Sequence, residues 1–158
     1  IELSNGSVSN QIIGKILDIG KNMINKPIEL LDGVEQVLKI LSKDYKLIVA
    51  TKGDLLDQER KLEKSGLLEY FHHIEVLSEK QEDNYDKLLK HLDIKPSEFL
   101  MIGNSLKSDI LPLVNIGAEA IHVPFHTTWQ HEKVSKNATN GLKYKTVESL
   151  SDILNVLK

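Results

Sequence analysis

The chain has 158 residues, a length typical of one globular domain with a substantial hydrophobic core. Hydrophobic residues make up 41% of it and charged residues 27%, and no stretch approaches the roughly 20 apolar residues that a membrane-spanning helix needs. The formal net charge of -3 provides no general basic surface. The chain has no cysteine, which excludes disulfides and thiolate metal sites and favours a cytoplasmic protein. We therefore expect partners that are neither nucleic acid nor membrane.

Helix and strand patterns alternate along the chain. Amphipathic spacing, with end signals such as Asp54 and Gly66, predicts helices over these ranges: 8–25, 33–42, 54–64, 83–92, 106–115 and 149–157. Short apolar runs predict strands over these ranges: 46–50, 73–77, 98–103, 118–123 and 144–147. Such alternation indicates an α/β fold in which a parallel sheet carries helices on both faces.

The segment 124–143 is polar and irregular, and it is longer than most connections in a compact domain. Such a loop either lines a site or is mobile. Three histidines and a tryptophan lie in or beside it: His122, His126, His131 and Trp129. These residue types could bind zinc, but their spacing is not compact, so we expect them to shape the rim of a pocket instead. His72 and His73 adjoin a strand and are predicted to be structural.

Polar segments follow three of the predicted strands. They are TKGD at 51–54, SEK at 78–80 and GNSLKSD at 103–109. The carboxyl ends of parallel strands meet at one edge of a sheet, where ligands commonly bind. A hydroxyl with backbone amides, a lysine and a carboxylate would meet there. These groups are suited to binding a phosphate together with a hard cation such as Mg²⁺.

The three segments resemble motifs of the haloacid dehalogenase-like hydrolase superfamily, most of whose members are phosphatases. Thr51 matches the second motif, Lys80 the third and GNSLKSD the acidic fourth, and Lys87 is a rival for the third. The resemblance covers about residues 27–123. It implies a Rossmann-like three-layer parallel sheet, and a hydrolase of small phosphate monoesters that works through an aspartyl-phosphate intermediate.

The resemblance also implies roles for individual residues. Thr51, Lys80 and Asp109 would be catalytic. Thr51, the backbone amide of Lys52 and the ammonium of Lys80 would hold the phosphoryl oxygens, while Asp109, with Asn104, would hold Mg²⁺. The substrate would be a small phosphorylated molecule.

One departure from the superfamily concerns its first motif, DxDxT, which supplies the nucleophilic aspartate. No DxD occurs in the 158 residues. We therefore expect the motif and its central strand in a preceding segment or in a second chain. On this reading, residues 1–26 are the C-terminal part of a helical cap, and residues 27–158 are a Rossmann-like hydrolase core that lacks its first strand.

The second departure is Asn104, where the superfamily usually has aspartate. An amide oxygen can ligate Mg²⁺ but carries no charge, so metal binding would weaken or shift onto Asp109. Haloacid dehalogenases have an asparagine near this place and use no metal, although their spacing differs. Metal-independent dehalogenation is thus a minor alternative, and a non-catalytic interaction or regulatory module is the main one.

Each site residue also has a purely structural interpretation. Thr51 could simply end a strand, and Lys80 could be a solvated surface lysine. Asp109 could stabilise the first turn of the helix that follows, with Ser105 as its N-cap. The order of the motifs along the chain favours the functional interpretation.

Overall fold

A computed structural model describes residues 8–126, 132 and 134–157. Its α-helices are α1 (Asn10–Asn25), α2 (Val34–Leu41), α3 (Leu55–Ser65), α4 (Glu82–His91), α5 (Leu111–Asn115) and α6 (Ile153–Val156). Its strands are β1 (Ile48–Lys52), β2 (His73–Leu77), β3 (Leu100–Gly103), β4 (Glu119–His122) and β5 (Lys145–Thr146). Short 3-10 helices lie at Leu68–Tyr70, Pro96–Glu98, Lys136–Thr139 and Leu150–Asp152.

All six predicted helices and all five predicted strands are present, with local differences. The helix predicted at 106–115 begins as a π-helical turn, Leu106–Ile110, and becomes α-helical only at α5. The strand predicted at 46–50 lies two residues further along, at Ile48–Lys52, because it pairs in register with β2. Thr51 therefore lies inside β1 rather than after it.

The helix α3 has the ends that its sequence predicts. The Asp54 side chain accepts a hydrogen bond from the backbone N–H of Asp57 at 3.0 Å, which satisfies one of the free amides of the first turn. Gly66 ends the helix with a φ of +72°, a left-handed conformation that glycine adopts without a steric penalty.

Within the described residues, the strands form two parallel sheets rather than one. The first has the order β1-β2, and the second has the order β3-β4-β5. In the first sheet Thr51 aligns with Val76, and in the second Gly103 aligns with His122. All the carboxyl ends within each sheet therefore lie at one edge.

Two hydrophobic clusters hold the sheets between helices. One packs α4 and α5 against both sheets, through side chains that include Ala50 of β1 and Met101 of β3. The other packs α2 and α6 against the opposite faces, through side chains that include Leu47 and Ile102. The architecture is thus three-layered, α/β with parallel strands and helices on both faces, as the sequence predicts.

The first helix, α1, is the most exposed of the long helices in the described chain. None of its residues is buried, and its apolar side chains Ile16, Leu17, Ile19 and Met23 are 58–71% exposed.

Among the described residues, no helix is both long and apolar enough to cross a membrane.

Gly103, the last residue of β3, allows Asp109 to pack directly on the strand. A Cβ atom at position 103 would lie 2.5 Å from the Asp109 Cβ and from its Oδ2. Real Cβ atoms do not approach other atoms so closely, and the Asp109 Cβ is fixed to the backbone. Any side chain at position 103 would therefore displace Asp109.

We expect Gly103→Ala to lower the free energy of unfolding by about 1–3 kcal/mol, because the added methyl group overpacks a buried site. Gly14→Ala is the matched control, since Gly14 lies in α1 with nothing within 4 Å of an added Cβ. That control should keep or raise stability, because alanine favours a helix over glycine. Urea unfolding measures both, and equal stabilities of Gly103→Ala and wild type would contradict the close packing of Asp109.

Candidate active site

A cleft of about 470 Å³ opens where the segments after β1, β2 and β3 meet. Charged side chains dominate its walls. They include Lys52, Glu79, Lys80, Lys107 and Glu132, with Ser108 beside them. Of the residues that the sequence predicts for the site, Lys52 and Lys80 line this cleft, whereas Thr51, Asn104 and Asp109 are not among its lining residues.

An ion pair between Lys80 and Asp109 links two of these segments. The Lys80 Nζ lies 2.7 Å from Asp109 Oδ1, and the two side chains are only 18% and 7% exposed. The other carboxylate oxygen, Oδ2, accepts a hydrogen bond from the backbone N–H of Ser105 at 3.0 Å. Because the pair is largely shielded from water and ions, its electrostatic attraction is screened little. The positions of both charges are therefore set before any ligand binds.

The turn that carries Asp109 is held by Ser105 and Tyr85. The Ser105 Oγ accepts from the backbone N–H of Ser108 at 3.0 Å, which caps the turn. The fully buried Tyr85 of α4 donates its hydroxyl to the Ser108 carbonyl oxygen at 3.0 Å. Burial raises the pKa of Tyr85 well above its usual value of 10.0, and the Asp109 carboxylate raises it further. Tyr85 thus remains a neutral donor across the physiological pH range.

The side chains of Thr51 and Lys52, two predicted phosphate-binding residues, contact residues outside the Lys80–Asp109 pair. The Thr51 hydroxyl donates to Gln58 Oε1 of α3 at 3.0 Å, so its proton points toward that helix. Lys52, at the mouth of the cleft, forms an exposed ion pair with Glu79. To donate to a phosphoryl oxygen, the Thr51 hydroxyl would have to exchange its bond with Gln58.

Lys87, the rival for the third motif, lies elsewhere. It is an exposed residue of α4 that lines a separate cavity of about 380 Å³, together with Glu75 and His91. Lys80 lies against the buried carboxylate of Asp109 in the GNSLKSD segment, and Lys87 does not line the cleft.

Asn104 and Asp109, the predicted Mg²⁺ ligands, do not by themselves fit that ion. The Asn104 residue is exposed, and both oxygens of Asp109 already accept hydrogen bonds. The Lys80 ammonium also neutralises the only carboxylate of the predicted pair and would repel a second cation. Among the described residues, no three His, Cys, Asp or Glu side chains form a group that could hold a metal ion. A hard cation here needs acidic oxygen ligands in addition to those in the described part of the chain.

The histidines beside the long loop have separate positions. The His122 Nε2 lies 3.2 Å from the carbonyl oxygen of Asn104 in the GNSLKSD segment. His126 is exposed, with its ring against Phe125 at a centroid distance of 4.0 Å. His131 and Trp129 lie outside the described residues.

The histidines that adjoin β2 contact their surroundings in the sheet. The His72 Nδ1 accepts from the backbone N–H of Leu47 at 3.2 Å, just before β1 begins. The His73 Nε2 lies 3.0 Å from Glu75 Oε2 on the same strand. His72 thus joins the starts of β1 and β2.

Sequence reasoning missed several residues that contact the predicted site, among them Gln58 and Glu132. The Glu132 Oε2 accepts hydrogen bonds from the hydroxyls of Ser105 and Ser108, the second at 2.7 Å. It is 27 residues from Ser105 in sequence, in no recognisable motif, so only its place in the 124–143 loop pointed toward a site. Nothing in the sequence around Gln58 indicated a contact with the site, apart from its place in a predicted helix.

Curated proteins similar to this chain include two phosphatases. A glyceraldehyde 3-phosphate phosphatase of Methanothermobacter thermautotrophicus is 29% identical over 127 residues, which covers 77% of this chain and 55% of that protein. The human N-acylneuraminate-9-phosphatase is 24% identical over 151 residues, which covers 92% of this chain and 57% of that protein. The chain thus spans little more than half the length of these relatives.

The fold and the sequence also match a solved structure and a family model. A haloacid dehalogenase-like family hydrolase from Xanthomonas campestris superimposes with a TM-score of 0.84 at 33% identity, over 99% of this chain and 66% of that one. The model of the haloacid dehalogenase-like hydrolases matches residues 10–117, more than half of the chain. This chain therefore belongs to the haloacid dehalogenase-like hydrolase family.

Proposed function

We propose that this chain is part of a phosphatase of small phosphate monoesters. The observation that carries the proposal is the shielded Lys80–Asp109 pair at the cleft, where the carboxyl ends of the strands meet. A fixed ammonium at such a place stabilises the negative charge of a phosphoryl group during its transfer. The names of the two curated relatives, which are phosphatases of different phosphorylated compounds, support the same reaction class.

The proposed reaction has two steps. An aspartate outside the 158 residues attacks the phosphorus, the alcohol leaves, and water then hydrolyses the aspartyl-phosphate. The residues of this chain bind and stabilise. The Lys80 ammonium, held by Asp109, faces one phosphoryl oxygen, while the backbone N–H of Lys52 and the Thr51 hydroxyl donate to others. Asp109 acts by positioning Lys80 and the turn at Ser105.

Mg²⁺ stays part of the proposal as the cofactor, and Asp109 and Asn104, which do not fit the ion by themselves, would only add to ligands from outside the described residues. The acidic residues of a DxDxT segment would supply the negative charge that the described residues lack.

A cytoplasmic location stays a prediction that rests on the cysteine-free composition.

We also propose that an extended segment, the one bearing DxDxT, fits between β1 and β3. These two strands are not hydrogen-bonded to each other. Side chains in or beside both strands pack into both hydrophobic clusters, with Ala50 and Met101 in one cluster and Leu47 and Ile102 in the other. Helices thus cover both faces of a position whose backbone groups would otherwise lack strand partners, which is costly. A strand there would end beside Thr51 and Asp109.

Residues 1–26 remain proposed as the C-terminal part of a helical cap.

Hydrogen exchange tests the strand position. The amides of β1 and β3 that do not bond to β2 or β4 should exchange rapidly in the 158-residue chain and be protected in the full-length protein. The matched control is β4, which has strands on both sides and should be protected in both. A 158-residue chain that is monomeric, melts cooperatively and already protects both edges would contradict the proposal and favour the non-catalytic module.

Lysine substitutions test the reaction in the full-length protein with para-nitrophenyl phosphate. We expect Lys80→Ala to lower kcat by about 100-fold or more, because it removes a fixed charge from the transition state. Lys87→Ala changes an exposed lysine of α4 and should keep kcat within about twofold. The reverse ranking would show that Lys87 is the catalytic lysine.

A folding control accompanies the lysine test. Lys80→Ala leaves the buried Asp109 carboxylate without its counter-charge, so it also destabilises the protein. The double variant Lys80→Ala with Asp109→Asn removes both charges and should regain thermal stability while it stays inactive. Recovery of activity in that variant would show that Lys80 acts only on folding.

A further inference from the structure

Gln58, in the first turn of α3, contacts two parts of the TKGD segment. Its Oε1 accepts a hydrogen bond from the Thr51 hydroxyl at 3.0 Å. Its amide nitrogen lies beside Gly53, 3.1 Å from where a Cβ atom at that position would stand. The Gln58 amide therefore lies against both the end of β1 and the turn that follows it, which are the predicted phosphate-binding part of the chain.

The hydrogen bond between Thr51 and Gln58 runs in the direction that opposes phosphate binding. A threonine hydroxyl has one proton to donate, and here the proton is donated to Gln58. A phosphoryl oxygen is an acceptor, so Thr51 can bind it only with that same proton. To keep Thr51 bonded throughout, its partner must accept from the hydroxyl before a phosphate binds and donate to it afterwards.

The amide of Gln58 can do both, because it carries an acceptor oxygen and a donor nitrogen on one planar group. A half-turn about its last side-chain torsion exchanges the two atoms, and that torsion is a soft one. Within the described residues, the bond to Thr51 is the one hydrogen bond that the Gln58 side chain forms, so the exchange breaks no other. After the half-turn, the amide nitrogen donates to the Thr51 oxygen and the Thr51 proton is available to a ligand.

We propose that Gln58 is the positioning residue of Thr51, and that its amide makes this half-turn when a phosphate group binds. The proposal rests on the proposed phosphatase function, in which the Thr51 hydroxyl donates to a phosphoryl oxygen. In this role Gln58 acts through Thr51 rather than on the substrate. It keeps the half-buried Thr51 hydroxyl bonded and aligned both before and after the phosphate arrives.

Two substitutions separate accepting from donating in the full-length protein, with para-nitrophenyl phosphate as substrate. An ionised glutamate only accepts, so Gln58→Glu should hold the Thr51 proton, keep the thermal stability of the wild type and raise KM by about tenfold or more. Gln58→Met offers no donor and only a weak acceptor, so it should raise KM by about fivefold. In both variants kcat should change less than KM, because the bond to the phosphoryl oxygen already forms on binding. Glu59→Met is the matched control at an exposed residue of α3 and should keep both constants.

A double-mutant cycle with Thr51→Val shows whether Gln58 acts through Thr51. Valine keeps the branched side chain but has no hydroxyl, so Gln58 has nothing to position in that background. Both Gln58 variants should then leave KM within about twofold of Thr51→Val alone. An increase of the same size in both backgrounds would mean that the new carboxylate repels phosphate directly or that Gln58 acts on folding, and would overturn the proposal.

Calorimetric binding of inorganic phosphate separates the role of Gln58 from the reaction. Hydrolysis of the aryl phosphate with a KM that Gln58→Glu leaves unchanged would overturn the role of Gln58 and leave the phosphatase intact. Phosphate binding that Gln58→Glu weakens only when Thr51 is present, without hydrolysis by the wild type, would support Gln58 and overturn the phosphatase. A wild type that neither binds phosphate nor hydrolyses the ester would overturn both.

Discussion

The ion pair between Lys80 and Asp109 is the interaction on which the arrangement of the cleft depends. It joins the segment after β2, which belongs to one sheet, to the turn after β3, which belongs to the other. Both partners are largely shielded from solvent, so neither charge is compensated by water if the other is removed. The pair therefore fixes the positions of these two segments relative to each other. The strands that precede them, β2 and β3, lie in different sheets and do not pair.

Three further features make that ion pair possible. Gly103 leaves room for the Asp109 carboxylate against the end of β3, and a side chain there would fill the space. The backbone N–H of Ser105 satisfies the second carboxylate oxygen. Tyr85 anchors the turn from the buried side, and its raised pKa keeps it a hydrogen-bond donor. Packing, hydrogen bonding and charge thus all favour the same position of Asp109.

The two sheets are held together by helices rather than by strand pairing. Each hydrophobic cluster contains side chains from both sheets, so the covering helices keep β1 and β3 in place although the two strands do not pair. The chain belongs to the family, and its 158 residues contain no DxD sequence.

The sequence by itself determined the local structure, the family and the order of the polar segments along the chain, because periodicity, helix caps such as Asp54 and short motifs are encoded by residues close in sequence. Contacts between distant residues were decided only by the tertiary structure. Lys80 and Lys87 both fitted the third motif, and packing alone put Lys80 beside Asp109. Likewise, the hydrogen bonds of Glu132 to Ser105 and Ser108 join positions that have no common pattern, since they arise from the path of the long loop over the folded sheet.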